Sequence, residues 1–154
     1  MSEIVMKNIF KRYGDGFPAV NDVSLDIKDG EFMCLLGPSG CGKSTTMRMV
    51  AGLEEITSGN MYIGDRLVNR LSPGERDIAM AFENYALYPN MTVYGNISFP
   101  LEIRKLPKAE IDKKVKDVAA LLGIEKMLDQ SVKGLSGGVQ QRVGVARALV
   151  CSPK

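Results

Sequence analysis

The residues best able to do chemistry in this chain are Gly37-Pro38-Ser39-Gly40-Cys41-Gly42-Lys43-Ser44-Thr45, which satisfy the pattern G-x-x-x-x-G-K-[ST]. Glycines in such a loop let successive backbone N–H groups converge on an anion without side-chain clashes, and a helix beginning at Lys43 aims its positive dipole end at the same point. The arrangement suits a triphosphate, with Lys43 reaching the β- and γ-phosphates and Ser44 ligating Mg²⁺. An ordinary glycine-rich turn is the bland alternative. The order of an apolar strand pattern, this loop and a helical pattern argues against it. A thiol beside a helix N-terminus can gain reactivity, so Cys41 is open to a redox role. A small loop-filling role is favoured, because no resolving cysteine lies nearby in sequence.

A second candidate opens the run LSGGVQQRVGVARAL, Leu135 to Leu149. Ser136 supplies a hydroxyl, and Gly137 and Gly138 supply unencumbered N–H groups at another predicted helix entrance, again receptive to phosphate. Ser136 also reads as an N-cap. A helix needs only one cap, whereas the Gly-Gly pair implies close approach by something else.

The rest of the composition removes competing chemistries. The chain has no histidine, which excludes Ser-His-Asp and Cys-His nucleophilic triads and histidine-based metal sites. Its three cysteines, Cys34, Cys41 and Cys151, are odd in number and follow no metal-ligand spacing, so a reducing compartment fits best. A net charge of +2 gives no argument for nucleic acid. The start, Met1-Ser2-Glu3-Ile4, lacks a basic region followed by an apolar stretch, and no apolar run approaches a membrane span.

The elements that must position these loops can be read from periodicity and breakers. Ile4 to Tyr13 and Val23 to Ile27 predict strands, and a Lys28-Asp29-Gly30 turn leads into a third predicted strand, Glu31 to Leu36, that feeds the glycine-rich loop. Lys43 to Ala51 predicts a helix, closed by Gly52 as a left-handed cap. Asn60 to Ile63 and Ile78 to Phe82 predict further strands, the latter an apolar run suited to a buried sheet position. Thr92 to Lys105 predicts a helix, and Pro107 opens another with Ile111, Val115, Val118, Ala119 and Leu122 on one face, ended by Gly123. The last helix, from near Gly138, places Val139, Val143, Ala146 and Val150 on one side.

With both motifs present in this order, the chain closely resembles the ATP-binding subunits of ABC transporters, over essentially its whole length. The resemblance implies an α/β fold: a P-loop NTPase core with an incomplete sheet, an antiparallel β region and an ABC-type α-helical subdomain. It divides residues 1–154, a partial nucleotide-binding domain, into a core part of about 1–83 and a helical part of about 84–150. The implied ligands are ATP and Mg²⁺. The implied assembly is a homodimer in which Ser136, Gly137 and Gly138 of one subunit face, in trans, the nucleotide on Gly37 to Thr45 of the other.

Further positions follow from the same resemblance. Tyr13, in Phe10-Lys11-Arg12-Tyr13-Gly14, matches the aromatic that stacks on adenine, with a strand-end core tyrosine as the alternative, and Val20 matches an apolar contact to the nucleotide. The stretch Glu83 to Pro89 resembles the Q-loop. Its first residue reaches toward Mg²⁺ and the attacking water, and Tyr85-Pro89 helps line a groove for a transmembrane permease subunit, with plain core packing of Tyr85, Leu87 and Tyr88 as the alternative. The following MTVYGNISFPL looks most like the carbohydrate-importer branch, of maltose or glycerol-phosphate type. That implies a peripheral location on the cytoplasmic face of the cell membrane.

Three departures qualify the resemblance. Glu83 stands where the family usually has glutamine, and at about 5 Å and an effective dielectric near 20 a carboxylate repels a phosphate charge by roughly 3 kcal/mol. Magnesium offsets part of that, so the expectation is weaker coupling to the partner with nucleotide binding less affected. Val139 replaces the polar residue that usually completes the signature, which removes the capping-box pattern from Ser136. The sequence ends at Cys151-Ser152-Pro153-Lys154, ahead of the strand that carries the family's Walker B aspartate and catalytic glutamate. The expectation is a marginal chain with nearly all turnover lost unless it belongs to a longer product. A non-catalytic nucleotide-binding module or a truncated gene remnant is the alternative, and the LSGG run disfavours an unrelated P-loop kinase.

Overall fold

The computed structural model describes residues 2–82 and 84–152, so the expectations attached to Glu83 lie outside the described residues. These residues form two compact units, one up to Ile78 and one from Ala79 onward.

In the first unit, β1 (Ile4–Lys11) pairs antiparallel with β2 (Val20–Ile27) on one side and β3 (Ser58–Ile63) on the other, and β4 (Arg66–Leu67) extends β3, giving the order β2-β1-β3-β4. A regular strand would alternate faces every residue, yet Met6 and Ile9 both point into the core. A bulge resolves the conflict. Asn8 takes a left-handed φ of 50°, its side chain donates to Asp22 at 2.9 Å, and the register shifts between Met6 and Ile9. On the other side of β1 the bulged carbonyl leaves no room for a side chain: a Cβ at Gly59 would stand 2.2 Å from the Asn8 oxygen. Helix α1 (Lys43–Ala51) adds Met49 to the core formed by Met6, Ile9, Val20, Met61 and Val68.

The carboxyl end of α1 is held by a buried arginine. Arg76 donates through Nη1 to the carbonyls of Met49 (2.6 Å) and Val50 (3.0 Å) and through Nε to that of Leu71 (3.0 Å). The guanidinium thereby satisfies the Val50 carbonyl, which the helix leaves unbonded, and joins the Gly52 amide on the Met49 carbonyl, while burial pushes its pKa down. Gly52 ends the helix at φ 73°, and a Cβ there would lie 2.6 Å from Arg76 Nε, so both conformation and space demand glycine.

The second unit is helical. Helices α2 (Val93–Ile103), α3 (Lys108–Leu122) and α4 (Gly137–Leu149) bury Val93, Ile97, Leu101, Val115, Ala119 and Val143 among themselves. Thr92 caps α2 by accepting from the Gly95 amide at 3.0 Å, and Gly123 closes α3 with φ 65°. Between α2 and α3 the Tyr94 hydroxyl bonds to Asp112, and mainly for that reason its pKa is pushed up to about 12.

Two sequence expectations need correction. Glu31 to Leu36 reads as a strand and Ile78 to Phe82 as a buried one, but neither is a strand here. Phe32 is 94% and Leu36 87% exposed. A strand exists through its ladder, and among the described residues no strand runs beside either segment. Apolar content alone therefore left these segments without secondary structure. The observed sheet is antiparallel throughout.

Candidate nucleotide-binding site

The glycine-rich loop turns into α1 through Gly40 at φ 82° and Gly42 at φ 94°, conformations that L side chains rarely adopt. Gly42 is constrained twice. A Cβ there would lie 2.4 Å from the Ala19 carbonyl and 3.3 Å from Val20 Cγ2, so the start of β2 fixes the height of the loop. Thr46 strengthens the same corner, its hydroxyl donating to the Gly42 carbonyl at 2.9 Å. Cys41 turns its sulfur over Gly37, where a Cβ would stand 2.7 Å away, which suits the loop-filling reading.

Lys43 curls back into the loop. Its ammonium donates to the carbonyls of Gly37 (2.8 Å) and Pro38 (2.7 Å), with Cys41 Sγ at 3.5 Å. These bonds hold a full positive charge beside amides at the N-terminus of α1, whose first turn carries no acidic residue. Ser39, Gly40 and Ser44 are exposed, and Thr45 is half-buried on the first turn. A polyphosphate fits these residues: phosphate oxygens can replace the two carbonyls at Lys43, and the exposed Ser44 hydroxyl is free to meet a hard cation. Among the described residues no cluster of acidic, histidine or cysteine side chains could hold a metal by itself.

The other sequence-predicted positions fall as follows. Val20 is 4% exposed and packs beneath Gly42 rather than standing open to solvent. Tyr13 is 52% exposed, with the Lys11 ammonium 4.8 Å from its ring centre. Lys11 also pairs with Glu54 at 2.7 Å, and Lys11 first, then the Tyr13 hydroxyl, holds the Glu54 carboxyl below the usual range. Lys11 and Glu54 were not singled out from sequence. Nothing in a lone Lys and a lone Glu so far apart in the chain signals that they meet.

In the helical unit, Ser136 occupies the N-cap position of α4, but its hydroxyl makes no cap hydrogen bond, so a cap read from sequence holds in backbone geometry and not in side-chain chemistry. The Val139 amide, which such a cap would take, donates instead to the Ser136 carbonyl at 3.0 Å. Ser136, Gly137 and Gly138 are all exposed, and a Cβ at Gly138 would meet nothing within 4 Å. Of the predicted coupling residues, Leu87 packs against the helical core, Tyr85 is half-buried and Tyr88 is exposed. Sequence reading passed over Arg147 and Gly144, which hold this loop. A glycine in the middle of α4 was the available signal, since it marks close backbone approach.

The family model described as ABC transporter matches residues 20–154. This chain belongs to the ABC transporter family. It is 56% identical over 154 residues to the sn-glycerol-3-phosphate import ATP-binding protein UgpC of Psychromonas ingrahamii, covering 100% of this chain and 41% of that one. It is 55% identical over 154 residues to the oligosaccharides import ATP-binding protein MsmX of Bacillus subtilis, covering 100% of this chain and 42% of the relative. The chain thus spans about two-fifths of the length of these relatives. Among solved structures, the dimeric ATP-binding cassette MJ0796 bound to ADP and Pi superposes with a TM-score of 0.86 at 33% identity, over 97% of this chain and 70% of that one. The expected α/β fold is that of these cassettes. Nucleotide binding with Mg²⁺, dimerisation and membrane partners are general to such proteins. No helix among the described residues is long and apolar enough to cross a membrane.

Proposed function

We propose that this chain is the ATP-binding portion of the energising subunit of an ABC importer for carbohydrates or small phosphorylated polyols. Its place would be the cytoplasmic face of the membrane. One observation carries the nucleotide site: a lysine ammonium satisfied only by loop carbonyls and a thiol, at a helix entrance whose glycine admits no side chain. On binding MgATP, Lys43 exchanges Gly37 and Pro38 for β- and γ-phosphate oxygens, loop amides from Gly40 to Ser44 face the phosphates, and Tyr13 offers an aromatic face to adenine. Ser44 would hold Mg²⁺, which when bound would neutralise triphosphate charge. Glu83 is carried over from the family resemblance alone as the residue that reaches toward Mg²⁺, and a carboxylate at that position is expected to weaken coupling relative to a glutamine. A second copy brings Ser136, Gly137 and Gly138 to the γ-phosphate, and Tyr85-Pro89 meets the permease. The names of the relatives support the transported class, and their greater length leaves turnover to the whole protein.

The test is equilibrium titration of the purified chain with a fluorescent ATP analogue and Mg²⁺, using Lys43→Ala and Glu83→Gln in parallel. Loss of two charge-assisted hydrogen bonds in Lys43→Ala is expected to weaken binding about a hundredfold, whereas Glu83→Gln changes it severalfold at most, on the order of its screened repulsion. Absence of binding by the unsubstituted chain, or an unaltered affinity in Lys43→Ala, overturns the proposal.

A further inference from the structure

Helix α4 carries a second device at the end opposite Ser136. Arg147 forks onto the loop that follows residue 83, donating through Nη1 to the Ala86 carbonyl at 2.7 Å and through Nη2 to the Tyr85 carbonyl at 3.0 Å. The guanidinium carbon lies 5.3 Å from the Tyr88 ring centre. Both residues whose carbonyls it takes are left-handed, Tyr85 at φ 58° and Ala86 at φ 44°, although neither is glycine. Two consecutive residues in that region persist only where the surroundings hold them. Here a planar donor pair is aimed at two carbonyls turned the same way, with an aromatic ring beside it, a task that a lysine ammonium cannot copy.

The loop is seated along α4 rather than touching it at one point. A Cβ at Gly144 would stand 3.4 Å from the Tyr85 carbonyl, and the Tyr85 hydroxyl lies 3.7 Å from where a Cβ of Gly137 would be. Tyr85 therefore reaches from the Arg147 end of the helix to its phosphate-receptive entrance. On the far side Asn96 of α2, fully buried, accepts from the Tyr88 amide at 2.8 Å and donates to the Tyr88 carbonyl at 3.1 Å, so the loop backbone is pinned from both helices.

We infer that Arg147 is a positioning residue that joins the loop Tyr85–Tyr88 to α4 as one moving part, so that a push on this loop by a membrane partner displaces Ser136–Gly138. The inference rests on the proposed function, which makes the loop a permease contact and the helix entrance a phosphate contact. Neither end of this linkage touches nucleotide in the same chain. Removing Arg147 should thus spare nucleotide affinity and uncouple the partner. Gly144 offers an independent way to break the seat: an alanine methyl would reach only ordinary contact with the Tyr85 carbonyl, at 3.4 Å, whereas the longer side chain of leucine, itself a good helix former, would have to displace the loop.

The experiment uses the full-length protein assembled with its membrane partner in lipid nanodiscs, comparing Arg147→Gln, Arg147→Lys and Gly144→Leu with an Arg142→Gln control on the same helix. MgATP affinity, turnover with and without the partner, and hydrogen exchange of loop and helix amides are measured. For Arg147→Gln, partner-stimulated kcat should fall about tenfold with KM and partner-free turnover unchanged, and loop amides should exchange about tenfold faster while Val143 and Ala146 keep their protection. Arg147→Lys should recover only part of the stimulation, and Gly144→Leu should repeat the loss. Full stimulation in both Arg147→Gln and Gly144→Leu overturns the inference. Faster exchange spreading through α4 overturns it too, by making the role merely structural. Failure of the unsubstituted protein to bind MgATP would instead strike the proposed function, and it is read before any variant is made.

Discussion

The two glycine-bearing helix entrances, at α1 and at α4, are built on opposite principles. At α1 the chain itself demands glycine: Gly42 sits at φ 94° with the Ala19 carbonyl 2.4 Å from any Cβ. At α4 nothing in the chain demands it, since Gly138 has helical backbone and a Cβ there would meet only open space. Glycine inside a helix costs about 1 kcal/mol relative to alanine, so Gly138 is retained against the local preference. The first entrance is shaped by its own fold. The second is left open to solvent.

Exchanging glycine for alanine at each entrance gives the largest expected contrast. Gly42→Ala should cost about 3 kcal/mol or more in unfolding free energy, from backbone strain plus a steric clash with a main-chain oxygen, and should abolish MgATP binding. Gly138→Ala should leave stability unchanged or raise it by about 1 kcal/mol, with the affinity of the isolated chain intact. Urea unfolding and nucleotide titration of the two variants read this difference directly. Equal destabilisation at both positions would break the comparison.

A smaller effect sharpens it from the other end of α1. Arg76 ties the Met49 and Val50 carbonyls of that helix to the Leu71 carbonyl outside it, so Arg76→Met should cost about 2–3 kcal/mol by leaving the Val50 and Leu71 acceptors without a donor. The same unfolding measurement checks it. A loss under about 0.5 kcal/mol would mean that water replaces the guanidinium at little cost.

The smallest effect separates the units by titration. In the β unit, the folded-state pKa of Glu54 is lowered chiefly by its hydrogen bond to Lys11, and that of Glu75 by the Ser72 hydroxyl. A lowered carboxylate pKa gives stability that is present above the unfolded value and is lost as pH falls through the folded one, so acid should weaken this unit. In the helical unit Tyr94 is raised to about 12 by Asp112, giving stability that is present below its unfolded value and is lost as pH rises toward about 12. Melting scans of Glu54→Gln at low pH and Tyr94→Phe at high pH should each flatten one limb of the profile and leave the other unchanged. A Tyr94→Phe variant that retains the full alkaline loss would refute the assignment.

Local signals were legible where one element settles its own geometry. Lys43–Ala51 with Gly52, and Lys108–Leu122 with Gly123, could be read from periodicity and terminal glycines, because helices close their hydrogen bonds within the segment. The strand pattern of Glu31 to Leu36 misled, because strand bonds must come from elsewhere. The bulge at Asn8 was equally hidden, being a compromise between inward-facing Met6 and Ile9 and the bond to Asp22.

The candidate site divides along the same line. The glycine-lysine-serine pattern at Gly37 to Thr45 and the Ser136-Gly137-Gly138 run mark candidate phosphate-receptive backbone from sequence alone, since backbone donors at helix entrances depend on a few adjacent residues. Only the tertiary structure decided that Val20 lies beneath Gly42, that Lys11 and Glu54 flank Tyr13, that Arg76 closes the far end of α1 and that Arg147 seats the loop from Tyr85 to Tyr88 on α4. Each of these joins residues distant in the chain, and such contacts exist only when packing of the core brings the two segments together.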